Sequence, residues 1–278
     1  MKCYHHNDAD GRCAAAIVYQ KYPEAQMIEV GYKDKIGVET IKKDEWIWIV
    51  DFSFKPEVMK QVLKKTKYVV WIDHHKTAME YDYGRELNGI RDNDYSGCEL
   101  TWQYFHGDNN PNVPEVVKLI GDYDNWIFRF GDRTRHFHSG LRLYDCDPKS
   151  EFWVQLFKNE NNFVEEVISK GRICMLFQDN ICEDYRKSFG FKTELGGYRC
   201  YAMNLYKFGS RTFGKLFHTY DICIAFAFDG MQWTVGLYSE KVDVGNLAKK
   251  YGGGGHTGAA GFTCDTLPFF INKEESKK

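Results

Sequence analysis

The chain has 278 residues, with 37 basic against 39 acidic side chains, a formal net charge of −2, 43% hydrophobic residues and 27% charged ones. That balance excludes a disordered polymer, and it lacks the basic excess with which proteins grip long nucleic acid, leaving room only for a local patch. No apolar run reaches the roughly 20 residues of a spanning helix, and the polar start, Met1-Lys2-Cys3-Tyr4-His5-His6, lacks an export signal's apolar core, so the expectation is a cytoplasmic protein with no membrane partner.

In chain order, residues 1–6 read as a short strand and residues 11–22, with Ala14-Ala15-Ala16-Ile17-Val18, as a helix packed on a sheet. Residues 46–50 and 68–72 are apolar, β-branched and aromatic runs of strand length, each followed by an aspartate, Asp51 and Asp73. Between them, residues 56–65 put Val58, Met59, Val62 and Leu63 on one helical face. Strands alternating with helices predict a parallel sheet flanked by helices, in which ligands sit outside the carboxyl ends of the strands, where Asp51 and Asp73 stand. Ser96 is placed to cap a helix to residue 106, and residues 113–121 read as another. Apolar residues at helical spacing over 151–185, among them Phe152, Leu156, Phe163, Val167, Ile173, Phe177 and Ile181, predict helical connectors. Strand texture follows over 189–194, 199–204, 222–228 and 233–237, with helices over 211–218 and 244–251, and the lysine- and glutamate-rich last six residues read as a frayed tail. The expected fold is α/β: a parallel-sheet domain over 1–150, a helical connector over 151–187, and a smaller α/β domain with a mixed sheet over 188–278.

Nine cysteines stand singly, with no C-x-x-C pair, which argues for reduced, buried thiols rather than disulfides or a thiolate zinc site. Harder ligands are abundant. His6, Asp8 and Asp10 fall within five residues and are followed by Gly11; taken alone, this is equally an aspartate-rich helix cap. Asp51 and Asp73-His74-His75 each follow an apolar strand, where charges are costly unless partnered, and a cation is the simplest partner. Asp122 and Asp124 close the 113–121 helix. Carboxylates with a few imidazoles and no thiolates suit Mn²⁺ or Mg²⁺, and two divalent ions about 3.5–4 Å apart suit hydrolysis of a phosphoester. Near the other end, Gly252, Gly253, Gly254, Gly255 and His256 precede Thr257-Gly258-Ala259-Ala260-Gly261. Consecutive glycines let backbone N–H groups approach an anion, and the bland alternative is a turn before a final strand.

Taken together, His6-x-Asp8-x-Asp10-Gly11, Asp51, Asp73-His74-His75, Asp122 and the glycine-rich run to Gly261 resemble the DHH phosphoesterases that carry a DHH-associated C-terminal domain. The resemblance spans nearly the whole chain in the right order. It implies that His6 and Asp8 hold one Mn²⁺ and Asp10, His74 and Asp122 a second, with Asp51 bridging both and Mg²⁺ as the alternative ion. It also implies that a water-derived hydroxide between the metals attacks phosphorus. Asp122 is preferred to Asp124 because it directly follows Ile120-Gly121, as the family's motif aspartate follows a small residue. His75, pointing elsewhere on an extended backbone, is assigned to the scissile phosphate or the leaving oxygen. Gly253, Gly254, Gly255 and His256 are assigned to a substrate phosphate, across the cleft from the metals. Many relatives carry a Ser-Leu-Arg-Ser stretch before this loop; here Val235-Gly236-Leu237-Tyr238-Ser239 places Tyr238 where the arginine is expected, so a base stacks there instead. Arg211 is the candidate replacement, against the plainer reading of a solvated arginine at a helix start. His5, His136, His138 and the tryptophans, Trp126 included, are read as packing residues.

The leading expectation is a two-metal phosphodiesterase that releases mononucleotides from short oligonucleotides or linear dinucleotides. The competitors are a RecJ-like exonuclease on single-stranded nucleic acid, a cyclic-dinucleotide phosphodiesterase, an adenosine-bisphosphate phosphatase and, outside enzymes, a nucleotide-binding sensor. The clustered aspartates qualify the opening charge argument, since divalent cations would neutralise most of them and leave positive charge at the site.

Overall fold

Alternation of side chains along four short strands creates two hydrophobic layers in the first part of the chain. The computed structural model describes residues 1–108 and 110–269. The expected tail lies outside them. β1 (Lys2–His6), β2 (Gln26–Val30), β3 (Ile47–Val50) and β4 (Val69–Ile72) form an all-parallel sheet in the order β2-β1-β3-β4. Parallel neighbours require crossovers, and α1 (Ala9–Lys21) and α2 (Pro56–Lys65) supply those between β1 and β2 and between β3 and β4. Cys3, Trp48, Val50, Val70 and Ile72 point into one core, with the Ala14–Val18 face of α1 packed against them. Tyr4, Ile47, Ile49, Val69 and Trp71 point into the other, against Met59 and Val62 of α2.

After β4 come α3 (Lys76–Met79), α4 (Gly97–His106), α5 (Glu115–Asp124), α6 (Asp132–Leu141), α7 (Glu151–Lys158) and the long α8 (Phe163–Phe189). α4 begins at Ser96 in a capping box: Glu99 N donates to Ser96 Oγ, and Ser96 N donates to the Glu99 carboxylate at 2.9 Å. Among the elements without a clear sequence signal, β2 has no apolar run longer than Met27-Ile28, and α6 buries only Thr134, Phe137, Gly140 and Leu141 of a polar sequence.

The chain divides into two compact units, Met1–Met175 and Leu176–Lys278, so the boundary falls within α8. The second unit holds β5 (Gly190–Leu195), β6 (Tyr198–Met203), α9 (Leu216–Thr219), β7 (Ile222–Phe228), β8 (Trp233–Tyr238), α10 (Val244–Lys249), β9 (Gly254–Gly255) and β10 (Ala259–Cys264). Its sheet runs β5-β6-β7-β8-β10-β9, with β6 and β7 parallel and the other neighbours antiparallel, a mixed sheet as expected. The single helix expected over 211–218 is instead a 3-10 turn, Ser210–Phe213, followed by the short α9, because Gly214 takes φ 52° between them. All nine cysteines are free. Among the described residues no helix is long and apolar enough to cross a membrane.

Candidate metal centre

Because the four strands of the first sheet run the same way, their carboxyl ends deliver residues to one edge. His6 ends β1, Asp51 follows β3, and Asp73, His74 and His75 follow β4. Asp8 caps α1, accepting from Gly11 N at 2.9 Å, and its other oxygen lies 2.6 Å from His6 Nδ1. Asp10 accepts from Gly97 N at 2.6 Å and Cys98 N at 2.9 Å. Its carboxylate is therefore seated on the N-terminus of α4, where unpaired N–H groups favour an anion.

Asp51 stands at the centre. Its backbone N–H continues the ladder to Ile72 O at 2.9 Å, and its φ of 51° lies in the left-handed region that non-glycine residues rarely adopt. Oδ1 is 3.2 Å from His74 Nε2, and Oδ2 is 3.8 Å from His6 Nδ1. Three sets of donor atoms, from Asp51, His74 and His75, from His6, Asp8 and Asp51, and from Asp10, His74 and Asp124, each lie within 4.8 Å of one another. Both Asp51 oxygens are buried and neither has a hydrogen-bond partner. A carboxylate left so costs several kcal/mol, roughly, unless a cation or a proton neutralises it. The donor set, carboxylate oxygens and imidazole nitrogens without thiolate, fits Mn²⁺ or Mg²⁺.

The electrostatics describe the same crowding. Burial, then the charges of Asp10 and Asp8, push Asp51 well above the carboxylate range. Burial and Asp10 raise Asp124 to about 8, and burial lowers His74. Asp8 goes the other way: burial works to raise it, but the contacts from His6 and Gly11 N outweigh burial and bring it to about 2.

Asp73 serves the neighbouring histidine. Its carboxylate accepts from Ser53 Oγ and from the backbone N–H groups of His74, at 2.8 Å, and His75, at 3.2 Å. Oδ1 also lies 2.7 Å from His75 Nδ1. With Nδ1 donating to Asp73, Nε2 is the ring nitrogen left to act elsewhere. Burial works to lower the His75 pKa, and the Asp73 contact outweighs it, for a net rise.

One expected ligand is turned away. Asp122 accepts from Arg129 N at 2.7 Å, Phe130 N at 3.2 Å and Thr134 Oγ1, which folds the segment after α5 back on itself. Two residues along a helix are about 200° apart, so only one of Asp122 and Asp124 can face the cluster. Asp124 does, with Oδ2 3.3 Å from His74 Nε2, and the preference for Asp122 is reversed. Trp126 also departs from expectation: it is 67% exposed at φ 56°, its ring meeting Tyr123 and Phe128 edge-on rather than entering the core. His138, by contrast, stacks flat on Tyr123 with 3.5 Å between ring centroids.

Two contributors carried no recognised signal. Tyr32, just after β2, places its ring 5.4 Å from that of His6 and 5.9 Å from that of His75. Gly97 lets α4 approach Asp51 closely; a Cβ there would lie 2.5 Å from Asp51 Cβ. Gly97→Ala is therefore expected to displace Asp51 at a cost of about 1–3 kcal/mol. Thermal melts should show both lower stability and a smaller gain on adding Mn²⁺.

The candidates of the second unit are differently placed. Arg211 is engaged bidentately by Asp179 at 2.8 and 2.6 Å, which favours its plainer structural reading. Tyr238 ends β8, opposite Ala259 of β10 and Cys223 of β7, and is partly buried against Phe213. In the glycine run, the N–H groups of Gly252, Gly253 and His256 already donate to Lys249 O, Ala248 O and Ala259 O, and Gly254 and Gly255 pair with β10. The run is thus largely a hairpin rather than an open cradle of amides. Its close packing also requires glycine, since a Cβ on Gly253 would lie 2.1 Å from Gly261 O. His256 is exposed.

A relative, uncharacterized protein R106 of Acanthamoeba polyphaga mimivirus, is 23% identical over 306 residues, covering 96% of this chain and 68% of its own. Among solved structures, the pGpG-specific phosphodiesterase PggH of Vibrio cholerae matches with a TM-score of 0.58 at 13% identity, covering 95% of this chain and 93% of that one. RecJ of Thermus thermophilus, solved in complex with Mn²⁺, matches with a TM-score of 0.50 at 13% identity, covering 95% of this chain and 49% of that one. At these identities the two structures share its fold. Residues 2–121, which carry His6, Asp8, Asp10, Asp51, His74 and His75, match the model of the DHH family's N-terminal domain, so the first unit carries a DHH-family domain.

Proposed function

We propose that this chain is a Mn²⁺-dependent phosphodiesterase that releases mononucleotides from short oligonucleotides or linear dinucleotides. The observation that carries the reading is Asp51, a buried carboxylate neither of whose oxygens has a hydrogen bond, among the donor sets at the carboxyl edge of a parallel sheet. His6, Asp8 and Asp51 would hold one ion, and Asp10, His74 and Asp124 the other, with Asp51 reaching toward both. Divalent ions bound there supply Lewis acidity toward the phosphoryl oxygens and lower the pKa of the attacking water.

The chain's own groups supply the rest. Asp10, fixed by the N-terminus of α4, and Asp51, fixed by the strand ladder, are held before any ligand arrives, so little reorganisation is needed on binding. Asp73 orients His75, whose Nε2 is assigned to deliver a proton to the leaving oxygen. We assign the chemistry to residues 1–150, the connector to 151–187 and substrate binding to 188–278 as a DHH-associated domain, with His256 and Tyr238 as contacts. A short substrate agrees with the absence of a basic excess, and the PggH neighbour is a pGpG-specific phosphodiesterase.

His75→Ala is expected to lower kcat by about 10²–10⁴-fold, the worth of a general acid, while leaving the stabilisation by Mn²⁺ in place. Loss of that stabilisation would make His75 a ligand instead. The function itself is tested by a Mn²⁺ reaction panel of a dinucleotide, a pentanucleotide, a long single strand, a cyclic dinucleotide and adenosine bisphosphate. Mononucleotide release from the first two is the expected result. The reading fails if both stay intact, and preferential degradation of the long strand with a steep salt dependence would replace it with a RecJ-like exonuclease.

A further inference from the structure

Next to the carboxylate cluster, and wholly within the first unit, lies a cavity of about 720 Å³. That size falls within the range of small-molecule sites, about 300–1,000 Å³. Tyr32 and Phe52 form one wall, their ring centroids 5.1 Å apart, and both rings also lie against His6, at 5.4 and 6.1 Å. The two aromatics are therefore shared between the metal centre and the cavity. Ser53, which donates to Asp73, lines it as well.

The remaining lining reverses the charge of the cluster. Lys33, Lys35, Lys55 and Lys64 reach it from the β2–β3 connection and from the two ends of α2, and all four are exposed, their ammonium groups with no hydrogen bond or ion pair among the described residues. Lys65 is different, since its ammonium is spent on Glu39 O at 3.1 Å and Ile41 O at 3.0 Å. Of the acidic lining residues, Asp34 accepts from Gly31 N at 2.7 Å, which leaves Glu39 as the other counter-charge to four uncommitted lysines. Ammonium groups gathered around a concave surface, beside an aromatic wall and a candidate phosphoester site, suit an anion attached to an aromatic group.

We propose that this cavity binds a second phosphate of the substrate, that of the nucleotide flanking the scissile bond, through Lys33, Lys35, Lys55 and Lys64, with the attached nucleoside against Tyr32. The inference rests on the phosphodiesterase reading and narrows it: the preferred substrate is a short oligonucleotide or dinucleotide carrying a terminal phosphomonoester. An unphosphorylated dinucleotide has only the scissile phosphate and leaves the lysines without an anion.

The test compares pApA with ApA on wild-type protein and on the Lys33→Gln/Lys35→Gln/Lys55→Gln/Lys64→Gln variant, all four changes being at exposed positions. With Mn²⁺, the wild type should favour pApA by roughly tenfold or more in kcat/KM, the scale of charge-assisted contacts, and the variant should lose that preference while cleaving ApA as before. Calorimetric titration of both dinucleotides into Asp51→Asn protein provides the independent readout, with tighter binding of pApA expected only when the lysines are present. Equal affinity for pApA and ApA, or a preference that survives in the lysine variant, overturns the proposal. Wild-type protein that cleaves neither dinucleotide but binds pApA more tightly through the lysines would sink the phosphodiesterase reading and leave the phosphate site standing.

Discussion

Asp51→Asn is expected to abolish turnover and, at the same time, to make the chelator-treated protein more stable. The rate loss should be about 10³-fold or more, because the carboxylate common to two donor sets is removed and several kcal/mol of metal-derived transition-state stabilisation go with it. The gain in metal-free stability has a separate cause. Asp51 is 1% exposed, its oxygens have no hydrogen-bond partner, and Asp8, Asp10, Asp73 and Asp124 surround it with like charge. An amide of the same shape carries no charge and can donate to those carboxylates, and asparagine accepts a φ of 51° more readily than most residues. A gain of about 1–3 kcal/mol is expected. Thermal melts in EDTA with activity measured in parallel read both effects. Loss of activity accompanied by lower metal-free stability would show instead that Asp51 is a structural carboxylate.

The metal-free protein should lose stability as pH rises through neutrality, and Mn²⁺ should restore it. Asp124 is raised from its ordinary 3.8 to about 8, so the folded chain holds a proton that the unfolded chain releases. Its contribution is complete below about pH 4 and is lost as pH climbs to about 8, at a limiting slope of roughly 1 kcal/mol per pH unit. Asp51 has the same sign. His74 has the opposite one: lowered by burial from 6.5, it penalises the folded state at acid pH. The window from about 6.5 to about 8 therefore leaves out His74 and reads the carboxylates together with His75, whose raised pKa acts with the same sign. Melts in EDTA across that window should fall with pH, those in Mn²⁺ should not, and Asp124→Asn should make the EDTA series less steep. A stability that rises with pH in EDTA would contradict the unpaired carboxylate cluster.

Much of this arrangement was legible in the residues themselves. Apolar runs of strand length ending in Asp51 and Asp73 determine where those carboxylates emerge, because a parallel sheet sends every strand's carboxyl end to one edge. Ser96 announced the start of α4, and the structure adds Glu99 as the other half of its capping box. The choice between Asp122 and Asp124 was not legible. Both end the same helix, and which one faces the cluster depends on the return of Arg129 and Phe130, whose N–H groups claim Asp122; no local pattern encodes that fold-back. The role of Gly97 was hidden for a similar reason: its requirement is a close approach to Asp51, a residue 46 positions earlier in the sequence. The glycines before His256 showed the opposite difficulty. Their pattern allows both an anion cradle and a tight hairpin, and the carbonyls of Ala248, Lys249 and Ala259 decide for the hairpin at the amides they accept from.

The central claim is that six side chains, His6, Asp8, Asp10, Asp51, His74 and Asp124, make one two-metal centre. Calorimetric titration of Mn²⁺ into metal-stripped protein, with Asp51→Asn in parallel, tests it most directly. Two ions per wild-type chain and a marked loss of affinity in the variant are the predicted result; a wild type that binds fewer than two, or a variant that binds both with unchanged affinity, would contradict it.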